Sequence, residues 1–425
     1  MIKIKYIFLL FLFFVFVPYS VKAQFDPHPE LDWFTMETQH FIINYHSGTE
    51  RTAHSGTERT ARTVAKIAED VYGPITSLYQ HKPTSKTTFI ITDVSDIANG
   101  AADYFGNRIS IFASPLDFDL RGRHNWLRNV ITHEFTHIVQ IQTAMKFAQE
   151  LPAFYLQVLD YEEERRPDVL YGYPNVIVSY PIAGVTVPAW FAEGTAQYQR
   201  QQLSYDYWDA HRDMILRMQV LGAKMLTWNE MGQFASITSL KAESIYNSVF
   251  ALTRYIAEKY GEDKLRTITD GLAELSNWSF DAACEDAIGS FDAACEDAIG
   301  INGQQLYNEW QKYLQTEYNN RVAGIRETEI KGEFIEKKGF ANYYPKFSPD
   351  GSKISYLSNQ DFDYGTTGLM LYDVATKKSK ILTAPVASSY SWHPDGNKII
   401  FAKRNTPPTI HHVTVFDLYE YNISF

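Results

Sequence analysis

The chain has 425 residues, 45% of them hydrophobic and 21% charged. That is material for two or three packed domains of about 150 residues each, and it excludes disorder over most of the length. Fifty acidic against 39 basic residues give a net charge of -11 with no basic cluster to neutralise phosphates, so nucleic acid is not expected as a partner.

The N-terminus begins Met-Ile-Lys-Ile-Lys, continues as an apolar run from Tyr6 to Val17, and reaches Val21-Lys22-Ala23 before Gln24. A charged start, a short apolar stretch and a small-residue cleavage site predict a secretory signal peptide over residues 1–23. The run is shorter than the ~20 residues that span a bilayer, and no later segment is long and apolar enough. A periplasmic or secreted protein with no membrane span after signal cleavage is expected.

Residues 40–45 (HFIINY) then predict a strand. Val64, Ile67, Ala68, Val71, Ile75 and Leu78 fall at helical spacing within about residues 59–79. Residues 87–92 (TTFIIT) and 108–113 (RISIFA, after a Gly-Asn turn) predict two more strands, followed by a helix over about residues 126–141. A Tyr- and Pro-rich connection covers about residues 152–188, and the reading is mostly helical from there to Tyr318. Strands first and helices after predict an α+β domain over residues 24–325.

Two segments are duplicated letter for letter. HSGTERTA occupies residues 46–53 and 54–61, and SFDAACEDAIG occupies residues 279–289 and 290–300. Structural repeats diverge, so these read as local duplications and not as solenoid units. His46 and His54 accordingly carry little weight as ligands. Cys284 and Cys295 stand at the same place in the two longer copies. On one helix they lie ~16 Å apart, beyond the ~7 Å between Cα atoms that a disulfide tolerates, and are expected to be free thiols.

From residue 326 the pattern changes to a charged linker and short strands. Pro349-Asp350-Gly351 and Pro394-Asp395-Gly396 are 45 residues apart, and Tyr372-Asp373-Val374 is echoed by Phe416-Asp417-Leu418. These copies have diverged. A period near 45 with a turn between strands predicts one propeller blade per repeat, resembling TolB-like and other WD-type propellers. About two blades fit over residues 326–425, fewer than the roughly four to eight that close a ring, so a truncated or open propeller is expected.

The sharpest chemical signal is His133-Glu134-Phe135-Thr136-His137. Residues four apart share a helix face, so both imidazoles reach one metal while Glu134 leans over a water held there. With 12 His and 50 acids in the chain, about 0.04 chance matches are expected, so chance is a poor explanation. Catalytic zinc takes three protein ligands and a water. Gln140 and Thr143 stand where a metzincin has Gly and His, which excludes that class and leaves a carboxylate to complete the set. Glu150, Asp160, Glu162, Glu163, Glu164 and Asp168 are candidates. Glu193 is better placed, alone among apolar and small residues in PAWFAEGTAQY, where a buried acid needs a partner.

HEFTH followed by PAWFAEGTAQY resembles the gluzincin, peptidase MA-like family of zinc metallopeptidases, over about residues 33–318. The resemblance implies a zincin-like fold, Zn2+ held by His133, His137 and Glu193, Glu134 as catalytic base, and a peptide or protein substrate. It also implies an oxyanion-stabilising Tyr or His downstream of the third ligand, for which Tyr246 is the candidate and His211 the second choice. Gln197, one turn after Glu193, is a candidate support for the ligands. The strand over residues 108–113 is, on the same ground, the edge on which an extended peptide pairs. The alternative reading makes the propeller the working part, docking an envelope partner protein or glycan, with the metal-bearing domain as an adaptor.

Overall fold

The computed structural model describes residues 30–47, 56–94, 99–113, 125–148, 151–160, 176–198, 207–234, 239–275, 286–339, 341–362, 366–386, 389–405 and 415–423. The expected signal peptide, His54 and Cys284 lie outside the described residues. The architecture is mixed α+β, with eight α-helices and four sheets among the described residues, none closed into a barrel.

The first half is built on strands β1 (Trp33–Glu37) and β2 (Phe41–His46), helix α1 (Gly56–Tyr79), strands β3 (Thr87–Thr92), β4 (Gly100–Asp103) and β5 (Arg108–Phe112), and helix α2 (Trp126–Thr143). One sheet runs in the order β1-β2-β3-β5-β4, with β2, β3 and β5 parallel and the two edge strands antiparallel to them. Parallel neighbours need a crossover, and α1 supplies it between β2 and β3. Phe41, Ile43, Phe89, Ile91, Ile109 and Ile111 are fully buried while their neighbours along each strand are not, the alternation of a half-covered sheet. That inner face packs on α1 through Val64, Ala68 and Val71 and on α2 through Val130, Ile131 and Phe135.

Two expectations are corrected. The strand at residues 108–112 is not an edge, because β5 is hydrogen-bonded to β3 on one side and β4 on the other. The edge is β4, whose Gly-Ala-Ala-Asp sequence has neither alternation nor strand propensity and is held in place by β5 and α2. The connection at residues 152–188 contains an antiparallel ribbon of β6 (Ala153–Asp160) and β7 (Val176–Ala183). Pro181 opposite Tyr155 hid it from the sequence pattern; in a two-stranded ribbon every strand is an edge, so proline is tolerated.

The second half comprises α3 (Ala189–Gln197), α4 (Ala210–Leu221), α5 (Ser239–Tyr260), α6 (Asp263–Ala273), α7 (Asp286–Ile299) and α8 (Gly303–Glu327). They enclose a core that includes Trp190, Phe191, Leu252, Phe291 and Trp310. Trp190 lies at its centre, with ring centroids 4.7 Å from Phe291 and 5.0 Å from Trp228. Asn302 and Gln305 form a reciprocal capping box that starts α8. The second copy of the longer duplication is part of this core, since Phe291, Ala294, Cys295 and Ala298 on α7 are buried. Cys295 is a free thiol, and burial pushes its pKa up to about 12. His46 is buried and satisfied. Its Nδ1–H donates to the Ser47 carbonyl at 2.8 Å and its Nε2 accepts from the Asp93 N–H at 2.9 Å, so both ring nitrogens are occupied structurally.

Beyond α8, β8 (Asn342–Phe347), β9 (Lys353–Ser358), β10 (Gly368–Asp373) and β11 (Lys378–Thr383) form a four-stranded antiparallel meander. β12 (Tyr390–Trp392), β13 (Lys398–Asn405) and β14 (Val415–Asn422) form a three-stranded one. Leu357, Leu369, Val386, Tyr390, Ile399 and Phe401 form the core they share. The two Pro-Asp-Gly turns match in conformation: Gly351 and Gly396 have φ of 72° and 77°, a left-handed geometry suited to glycine. In each, the aspartate carboxylate accepts the N–H two residues on, from Ser352 at 3.1 Å and Asn397 at 2.9 Å. No helix among the described residues is long and apolar enough to cross a membrane.

Deleting residues 279–289 leaves one intact copy of the duplicated segment joined to Trp278. The melting temperature of this variant is expected to stay within about 4 °C of the parent. By contrast, Phe291→Ala empties a fully buried position in the same helix and is expected to lose about 3–5 kcal/mol by denaturant unfolding.

Candidate metal centre

Helix α2 starts where the Asn125 side chain accepts the Arg128 N–H at 3.1 Å, and runs unbroken through the His-Glu-x-x-His segment. His133 and His137, one turn apart, present their Nε2 atoms to each other at 3.1 Å with the rings at 89°. Unlike a surface helix, α2 is buried nearly all round, against the sheet and α1 on one side and against α3 and α6 on the other. This central position brings the helical half of the fold up to the two imidazoles.

Glu193 reaches them from α3. Its Oε2 lies 3.2 Å from His133 Nε2 and its Oε1 3.6 Å from His137 Nε2. Glu193 is the residue next to Gly194, and Gly194 lets α3 approach α5 closely. A Cβ there would stand 2.4 Å from Thr253 Oγ1 and 2.9 Å from the Val249 carbonyl oxygen. Among the described residues, His133, His137 and Glu193 form a group able to hold a metal ion, each offering one ligand atom within 4.8 Å of the others. Their side chains are 11–22% exposed, enough for an ion and a small molecule to enter and too little for water to solvate the carboxylate freely.

The donor set fits a cation. Ligand atoms held at 2.0–2.2 Å in a tetrahedron lie about 3.3–3.6 Å apart, close to the separations seen here. Two imidazole lone pairs and a carboxylate converge on one point, and the buried Glu193 Oε2 has no neighbour to satisfy it among the described residues except the His133 ring. Burial would raise the Glu193 carboxyl, but His137 and His133 outweigh it and hold the group well below the usual carboxylate range. For His137, burial opposes the charge and the Glu193 carboxylate overrides it, raising the imidazole above its ordinary value. The two shifts are mutual, the carboxylate and the imidazoles each favouring the charged form of the other.

Glu134 lies beside the cluster, buried at 7% exposure. Burial pushes its carboxyl above the ordinary value; the two imidazoles pull the other way, and Glu193 adds to the rise. It backs onto the edge strand. A Cβ on Gly100 of β4 would fall 2.8 Å from Glu134 Oε1 and 2.4 Å from Val130 Cγ2, so only glycine leaves room there. Gly100 and β4 are the part of the site that sequence reasoning missed.

The other candidates are placed as follows. Tyr246 is half-buried on α5, its ring 5.3 Å from Phe234. It shares the stripe of Val249 and Thr253, the face of α5 that meets Gly194. His211 is on α4, with a buried Nε2 that has no partner among the described residues. Gln197 is buried in the last turn of α3. Glu150, Glu162, Glu163, Glu164 and Asp168 lie outside the described residues, and Asp160 ends β6. No protein-family profile and no curated protein matches the chain.

The purified chain is expected to bind about one divalent metal ion, measured by elemental mass spectrometry, with His137→Ala and Glu193→Ala each weakening it at least tenfold. Gly194→Ala, which forces α3 away from α5, is expected to cost about 1–3 kcal/mol in a thermal or denaturant melt.

Proposed function

We propose that this chain is an exported zinc metallopeptidase of gluzincin type that hydrolyses peptide bonds, with a zincin-like domain followed by two blades of a TolB-like propeller. The observation that carries the reading is the arrival of the Glu193 carboxylate, from a different helix, at 3.2 Å from His133, with the buried Glu134 next in sequence. Two imidazoles and a carboxylate are the donor set that zinc takes in hydrolases, and the divergent 45-residue repeat supports the propeller reading.

Bound zinc would supply an acidified water and a Lewis acid for the scissile carbonyl. The chain's own residues do the rest. Glu134 takes the proton of the attacking water on a carboxylate oxygen and returns it to the leaving amine. Its burial beside His133 and His137 places the carboxylate where it can exchange that proton with little competition from solvent. The free edge of β4, beside Glu134, offers backbone groups to an extended peptide. Tyr246, on the α5 stripe that faces α3, is the candidate to steady the oxyanion.

The test is Glu134→Gln in the full chain. Cleavage of a peptide library is expected to fall by about 10²–10⁴-fold while bound zinc, measured on the same sample, is unchanged. Cleavage that persists in the zinc-loaded variant defeats the proposal.

A further inference from the structure

Helix α3 has only nine residues, and Pro188 at its start makes no side-chain cap bond. So short a helix has little stability of its own, and its position is set by what it packs against. One flank is determined by the Gly194 contact with α5. The other flank meets α2 through a side-chain hydrogen bond: Thr195 Oγ1 donates to Gln140 Oε1 at 2.7 Å. Both residues are essentially inaccessible, at 1% and 0% exposure, so no solvent competes for the bond.

The two partners sit next to the ligands. Thr195 is two residues beyond Glu193 on α3, and Gln140 is three residues, one helical turn, beyond His137 on α2. The Thr195 hydroxyl also lies 2.9 Å from the Phe191 carbonyl and 3.0 Å from that of Ala192. It has one proton to give. Given to its own helix, that proton would leave the buried Gln140 oxygen without a donor, whereas given to Gln140 it joins the two helices. The buried Tyr79 hydroxyl lies beside the Thr195 hydroxyl, which can accept its proton while giving its own to Gln140.

We propose that the Thr195–Gln140 hydrogen bond is a positioning clamp that holds the Glu193 carboxylate at metal-binding distance from His133 and His137. Neither residue belongs to the ligand group. Each acts through the helix it belongs to, and the inference rests on the zinc reading above.

The experiment measures zinc affinity of the full chain by competition with a chromogenic chelator, for the parent, Thr195→Val, Thr195→Ser, Gln140→Met and the Thr195→Val/Gln140→Met pair. Valine keeps the shape and removes the hydroxyl; it is expected to weaken zinc binding about 10-fold or more. Serine keeps the hydroxyl and is expected to restore affinity to within about threefold. Gln140→Met should match valine, and the double variant should be no weaker than either single one, because all three break the same bond. Melting of the metal-free proteins shows whether the fold survives each change. Parent-like affinity in Thr195→Val overturns the clamp, as does serine that is as weak as valine, since packing alone would then explain the loss. If neither single variant folds, the pair is a determinant of the fold and the clamp is again overturned. A parent chain that takes up no zinc defeats the metallopeptidase reading itself, a result distinct from parent affinity surviving in the variants.

Discussion

Three electron-pair donors meeting in a poorly solvated place are the constraint around which the first three-quarters of this chain is organised. Bringing a carboxylate within 3.2 Å of one imidazole and 3.6 Å of another removes it from water, which is unfavourable unless positive charge compensates. The imidazoles supply part of that charge when protonated, and a divalent cation held by the group would supply all of it. The strongly lowered Glu193 and the raised His137 are two sides of the same electrostatic demand.

Meeting that demand requires α2 to lie deep in the molecule. On one side it completes the core under the five-stranded sheet, and on the other it receives α3 and α6. The two main cores therefore adjoin along a single helix, and the His pair sits at that seam. Small residues make the seam tight. Gly194 admits α5, Gly100 admits Glu134, and a methyl group at either position would collide with its neighbour. A pair of buried polar side chains, Thr195 and Gln140, joins the helices where apolar packing alone would leave their separation free to vary. Precision here comes from close backbone approach and hydrogen bonding more than from bulk.

The C-terminal sheets follow different physics. They are antiparallel meanders, and their repeat is visible because a left-handed glycine after an aspartate is needed at the same point of each unit. The two units differ in strand number among the described residues, four against three, yet share one core. Their period survives sequence divergence because turn stereochemistry tolerates fewer substitutions than a half-exposed strand does.

Local features could be read directly from the residues. The strand at residues 87–92 follows from period-two alternation and the helix carrying His133 and His137 from the helical spacing of its sequence, patterns that act over a few residues. The same locality explains the misassigned edge. Gly-Ala-Ala-Asp has no pattern of its own, and β4 exists because β5 offers it hydrogen bonds and Glu134 leaves room for Gly100. Likewise the ribbon at residues 153–183 is made by pairing between distant segments, which a proline-bearing strand does not advertise. That Glu193 was a buried acid in need of a partner could be inferred from its neighbours in the chain. That the partner is the His133–His137 pair is a matter of how α3 docks, since the contacts span 56 and 60 residues and are stabilised by burial that exists only once both helices are packed.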